Sequence, residues 1–295
     1  MSGRAGGLTR DVVETRILRV LWWVGVIFFL GFTIIPFIYG LMLSIRTIES
    51  IAADPGALIP PLESISFETY VEVLKSVEDG GQGFLVFLRN SAIIATVAVI
   101  VSLLVAIPGA YAVARIRFFG RRTVSALFLG VYLFPAILLA IPLFVIFTRI
   151  GLRGSLIGLM IVYASQTVPI TIYMLKQYFD TVPASLEEAA SMEGLNRLQI
   201  LRYVSVPLAA PAIMATSLFV FMIAWNEFLF ALLFLVEKRE NWTVSLGLSQ
   251  LAGSIEVPTT VLMAGAVILT VPIVIVFFVS ERFLVGGLTA GAEKG

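Results

Sequence analysis

The sequence predicts an all-α membrane protein with six transmembrane helices. Of its 295 residues, 59% are hydrophobic and 13% charged, against roughly 25% charged in an average soluble domain. Mean hydropathy is +1.01. Six windows without one Asp, Glu, Lys or Arg are long enough to cross a hydrocarbon core, which takes about 20 helical residues.

The windows are Val20–Ile45, Asn90–Ala114, Thr123–Thr148, Gly154–Leu175, Tyr203–Asn226 and Val257–Ser280. They are apolar on all sides, whereas barrel strands need only about 10 residues of alternating polarity. The first is too long for the apolar region of a cleavable signal peptide, and no small-residue cleavage site follows it. This gives an N-terminal arm (1–19), a first span (20–45), a 46–89 connection, a core of five spans (90–280) and a tail (281–295). The arm reads "LTRDVVETRILR", with Leu8, Val12 or Val13 and Ile17 at helical spacing, so it suits the membrane surface. Pro108, Pro135, Pro142, Pro169 and Pro272 fall inside spans and mark kinks.

An even number of spans puts both ends in one compartment, and Lys and Arg choose which. The side holding the termini carries Arg4, Arg10, Arg16, Arg19, Arg115, Arg117, Arg121, Arg122, Lys176, Arg197, Arg202, Arg282 and Lys294, against seven on the other side. Both termini are therefore expected in the cytoplasm. The 46–89 connection then lies outside, where its "DPG", "PP" and "GGQG" turns flank the apolar-patterned "SFETYVEVL", read as a small cap. A second outer connection, Glu227–Glu256, opens on "FLF" and carries Trp242; as aromatics these suit an interfacial belt.

Composition also excludes chemistry. There is no Cys and no His, which removes disulfides, thiolate nucleophiles, imidazole bases and the usual soft metal ligands. Net charge is +1, so no overall field argues for nucleic acid. No phosphate-binding loop of the form G-x-x-x-x-G-K-[ST] is present. Ion-coupled carriers usually keep an ionisable group at membrane depth, and the charge-free windows disfavour that class. Any uphill movement of a solute must draw on a partner, and the chain is not expected to be an enzyme.

One segment is out of keeping with the rest: "EEAASMEGLNRLQILRYVSVPL", from Glu187 to Leu208. Pro183 stops what precedes it, and Ser185 with Glu188 forms an S-x-x-E capping box, so a helix of about two turns is expected from Leu186. Gly194 supplies the left-handed position that ends it, and Asn196 with Gln199 caps a second helix running into the fifth span. So short a helix needs something to pack on. It is either an ordinary connector or a knob that docks into a partner's cleft, with Gly194 setting its angle.

These residues carry a resemblance. "EAASMEG" followed by "VPLAAP" resembles the EAA loop of the membrane subunits of ABC importers, roughly E-A-A-x-x-D-G-A, a variable stretch, then I-x-L-P. Glu188, Ala189, Ala190, Gly194 and Pro207 match; Glu193, Leu195 and Val206 depart conservatively. "RNSAIIATVAVIVSLLVAIPGAYAVARIRFFGRR", "AWNEFLFAL" and "GLTAGAEKG" extend the likeness over nearly the whole chain, which resembles the second permease subunit of maltose- and trehalose-type systems.

The resemblance implies the type I importer permease fold in a prokaryotic inner membrane, half of a translocation path for a sugar. Partners would be a second permease subunit, two ATPase subunits and an extracytoplasmic solute-binding protein. No cofactor would be bound by this chain, ATP and Mg lying on the ATPases. Within the coupling loop, 183–202, Glu187, Glu188, Ala189, Ala190, Met192, Glu193 and Gly194 would meet the ATPase; Gly287, Leu288, Thr289 and Gly291 of the tail would contact it too. The outer connection after Asn226 would probe the mouth of the binding protein. Rival readings are a permease of the same family for a non-sugar solute such as glycerol phosphate, and an ion-coupled secondary carrier.

A sugar needs polar and aromatic surfaces along its route, and such groups face the bundle interior. Candidates are Tyr163, Gln166 and Tyr173 in the fourth span, with Asn90 and Asn226 at span ends. Interhelical hydrogen bonding, at about 0.6 kcal/mol apiece, would account for the same residues.

Overall fold

The computed structural model describes the backbone of residues 10–57, 59, 61–255 and 257–292, and side chains within 14–281. Among the described residues there is no β-strand, and one isolated β-bridge joins Arg46 to Ile65. The helices are α1 (Arg10–Ser44), α2 (Ile48–Ala53), α3 (Glu68–Leu74), α4 (Phe84–Arg115), α5 (Arg121–Leu133), α6 (Ala136–Arg149) and α7 (Leu156–Thr181). Then come α8 (Ala184–Met192), α9 (Arg197–Leu208), α10 (Ala210–Asn226), α11 (Leu229–Leu235), α12 (Val244–Ala252) and α13 (Thr259–Ala292).

Four helices are long and apolar enough to cross a membrane, and six spans result if two bent pairs each count as one. The third and fifth windows of the sequence are those pairs. α5 and α6 meet at 86°, with Pro135 at the start of α6. α9 and α10 meet at 77°, between Pro207 and Pro211. Proline removes an amide donor and crowds the preceding turn. By contrast Pro108, Pro142, Pro169 and Pro272 lie within unbroken helices.

The chain divides into two compact units, residues 1–70 with 258–267, and residues 71–257 with 268–295. In the first unit α1 is bare: its apolar window buries no residue, and Trp22, Phe28, Phe29 and Phe32 stay exposed. Water would penalise such a surface heavily and hydrocarbon does not. Beyond α1, the buried Arg46 guanidinium donates to the carbonyls of Ser50 (2.7 Å), Asp54 (2.9 Å) and Ala57 (3.1 Å), folding the start of the 46–89 connection around itself.

The second unit is built on α4 and α7. Ala106, Ala110 and Ala114 of α4 leave room for Ile172, Leu175 and Phe179 of α7, the small-residue packing by which helices associate in lipid. Ser102 and Thr167 share a buried hydroxyl bond of 2.7 Å midway along. At the other end Ile94, Ala98, Leu159 and Tyr163 join Val220 and Trp225 of α10 and Phe230 and Phe234 of α11 in one apolar cluster. The Trp225 indole donates to the Leu269 carbonyl at 3.0 Å, close to Pro272 in α13.

Candidate coupling site and translocation face

α8 begins at Ala184, with Pro183 as its N-cap and no side-chain cap bond. The expected Ser185–Glu188 box does not form, because the helix opens two residues before Leu186 and Ser185 is already inside it. Pro183 keeps Val182 extended, so α7 ends at Thr181 and the next helix opens directly after the proline. The far end follows the sequence. Gly194 has φ +91, its amide bonds Ser191 O at 3.0 Å, and the Leu195 amide returns to Ala190 O at 3.2 Å, a glycine-terminated helix end. The Asn196–Gln199 box is complete, with Gln199 N to Asn196 Oδ1 at 3.0 Å and Asn196 N to Gln199 Oε1 at 2.8 Å. α9 then passes through a π turn, Leu201–Ser205.

The two glutamates at the head of the segment have opposite surroundings. Glu188 is exposed, as are Ala189, Glu193 and, at 90%, Met192, while Ala190 is buried. Glu187 turns inward. Its carboxylate accepts from Arg115 Nε (3.0 Å), Ser205 Oγ (3.0 Å) and Tyr111 OH (3.3 Å). The same guanidinium reaches Val182 O at 2.6 Å. Both side chains of the ion pair are shielded, 15% and 12% exposed, where a charge-assisted bond is far stronger than at an open surface. α8 is thus tied at its base to the last turn of α4 and to α9, while Glu188, Ala189, Met192 and Glu193 face outward. Sequence reasoning placed Glu187 among the contact residues and missed Arg115; the basic run after α4 was the available signal.

The substrate-route candidates sit in different surroundings. Tyr163 is 1% exposed and its hydroxyl donates to the Glu227 carboxylate. Glu227 also accepts the amides of Phe230 (2.9 Å) and Ala231 (3.3 Å), capping α11. Burial pushes the Glu227 carboxyl up from its ordinary value, against the hydrogen bonds that pull it down. Asn90 is buried, its amide donating to the carbonyls of Glu240 (2.9 Å) and Trp242 (3.0 Å), which fastens the outer connection to α4. Gln166 keeps a buried Nε2 without a partner among the described residues. Tyr173 lies half-buried beside Arg121, Arg122 and Lys176. Asn226 is exposed and bonds Met222 O at 2.9 Å. Glu227, one residue beyond a charge-free window, escaped the reading of the sequence.

In the outer connection Trp242 packs on Phe87 at 5.6 Å and bonds Leu235 O at 3.1 Å, so it is an anchor; Lys238, Arg239 and Glu240 remain exposed. The tail positions Gly287, Leu288, Thr289 and Gly291 continue the α13 backbone helix, which runs to Ala292. Their side chains, and residues 293–295, lie outside the described residues.

The described residues thus form a bundle of apolar helices with one short helix tied to its end through Glu187. The chain belongs to the family described as binding-protein-dependent transport system inner membrane component, whose profile matches residues 98–289. It is accordingly a multi-pass inner-membrane permease subunit without a catalytic role, working with a solute-binding protein. Among curated relatives, the inner membrane ABC transporter permease protein YcjP of Escherichia coli is 39% identical over 277 residues, 94% of this chain and 97% of that one. The trehalose/maltose transport system permease protein MalG of Thermococcus litoralis is 36% identical over 285 residues, 96% and 99% of the two chains. Among solved structures, a bacterial ABC transporter involved in import of the acidic polysaccharide alginate superposes with TM-score 0.78 and 26% identity, covering 96% of this chain and 98% of that one.

Proposed function

We propose that this chain is the second permease of an ATP-driven sugar importer, and that Glu188–Gly194 is the helix by which two ATPase subunits move it. The carrying observation is the Glu187 tie, which makes α8 rigid with α4 and α9 while leaving Glu188, Ala189 and Met192 free to dock. A push on α8 is then delivered to spans and not absorbed in a loop. In this reading both termini are cytoplasmic, a different permease completes the path, ATP and Mg stay on the ATPases, and the connection after Asn226 meets the binding protein. Relatives named for trehalose and maltose support a disaccharide as cargo. A mild-detergent pull-down of the tagged chain, with mass spectrometry of what stays bound, tests it. An ATPase, a second permease and a binding protein that takes a disaccharide are expected. Recovery of the chain alone, active when reconstituted, would overturn the proposal.

A further inference from the structure

At the end of the bundle that carries α8, a cavity of about 440 Å³ opens between α5 and α7. Arg121, Arg122 and Lys176 line it together with Ser125 and Tyr173, and no Asp or Glu does. Lys176 has a carboxylate partner, Asp180 at 2.6 Å. Arg121 is spent on neutral groups, donating to the carbonyls of Val113 and Ala114 at the end of α4. Arg122 is exposed, with no bond to another side chain among the described residues. The cavity therefore keeps an excess of positive charge, and the N-terminus of α5, which starts at Arg121, adds its dipole.

Its polarity changes along α5. Arg121 and Arg122 come first, Ser125 a turn later, then Ala126 and Leu129. Arg122 to Leu129 covers about 10 Å at the helical rise. Beyond the cavity α5 presents exposed Val131 and Leu133. The arginines mark the level at which the charge-free stretches of α4 and α5 end, which is the level of lipid headgroups. A free phosphate would need the cations and not the apolar floor.

We infer that this cavity binds the phosphate of an anionic phospholipid, held by Arg122, Lys176 and the hydroxyls of Ser125 and Tyr173, with the first acyl carbons against Ala126 and Leu129. Cationic pockets between spans are suited to such headgroups. The seat lies beside the α4 terminus whose Arg115 holds Glu187, so an occupied site would brace the same end of the bundle. The inference stands whatever solute crosses.

The full chain with its copurifying partners, reconstituted in nanodiscs of mixed phosphatidylglycerol and phosphatidylcholine and released into mild detergent, is read by native mass spectrometry for retained lipid. Selective retention of phosphatidylglycerol is expected. Each interfacial cation strengthens anionic-lipid contact about fivefold, so Arg122→Gln with Lys176→Gln should cut retention by about thirtyfold. Arg122→Lys should keep most of it, and Arg149→Gln, at the far end of α6, should change nothing. Both substituted residues are outside the packed core, and complex recovery monitors assembly. Equal retention of the two lipids, an unaffected double variant, or loss of the lipid to millimolar inorganic phosphate would each overturn the inference, the last by showing a site for a free anion.

Discussion

Replacing Glu187 by Ala tests the mechanical part of the proposal most directly. The carboxylate accepts one bond from the Arg115 guanidinium and two from hydroxyls. All three reach an ionised acceptor, and a hydrogen bond to a charged group contributes about 1.5–3 kcal/mol when fully shielded. Stranding a shielded guanidinium adds a desolvation cost, moderated here because Arg115 keeps Val182 O and some water access. Discounted for residual exposure, the tie is worth about 3 kcal/mol. At 1.36 kcal/mol per decade, the truncation should raise local opening of α8 by roughly a hundredfold. Hydrogen exchange of amides 186–195 in the assembled complex reads that opening, and transport per ATP hydrolysed reads the consequence. Glu187→Gln keeps the acceptor and loses the charge, so it should fall between Ala and the parent. Equal protection of α8 in parent and Glu187→Ala, with intact coupling, would refute the reasoning.

Four further outcomes are expected. Gly194 has φ +91 and open space around its missing Cβ, so Gly194→Ala should cost about 1–2 kcal/mol of backbone strain and weaken coupling slightly. Gly194→Pro, which cannot reach that φ and lacks the amide bonded to Ser191, should leave insertion intact and abolish coupled uptake; normal uptake would contradict the hinge. Tyr163→Phe removes one hydrogen bond from a buried carboxylate and should cost about 1–3 kcal/mol in thermal stability with unchanged KM for uptake; a raised KM at parental stability would place Tyr163 on the solute's route. Lys238→Ala with Glu240→Ala leaves the Trp242 anchor in place, and should reduce stimulation of ATP hydrolysis by loaded binding protein; undiminished stimulation would contradict a binding-protein contact there.

What the sequence determined by itself was local or collective. A window without charge is a statement about every residue in it, and the bilayer's penalty acts on each separately, so apolar stretches can be read without a fold. The Asn196–Gln199 box and the left-handed Gly194 concern neighbours three or four positions apart, close enough for their chemistry to settle the backbone. The motif around Glu188 was legible in the same way. The tertiary structure decided whatever needed a partner from afar. Two adjacent glutamates look alike in sequence, yet Glu187 turns inward because Arg115, 72 residues earlier, arrives beneath it when α4 packs on α7. Tyr163 shows only a hydroxyl in the sequence, and the fold brings it to Glu227, 64 residues on. The prolines gave no warning of their different outcomes: Pro135 breaks a span at 86° and Pro108 leaves α4 whole. Neighbouring helices supply or withhold the packing that holds a helix together across a missing amide, and that support is set by the assembled bundle and not by the residues on either side of the proline.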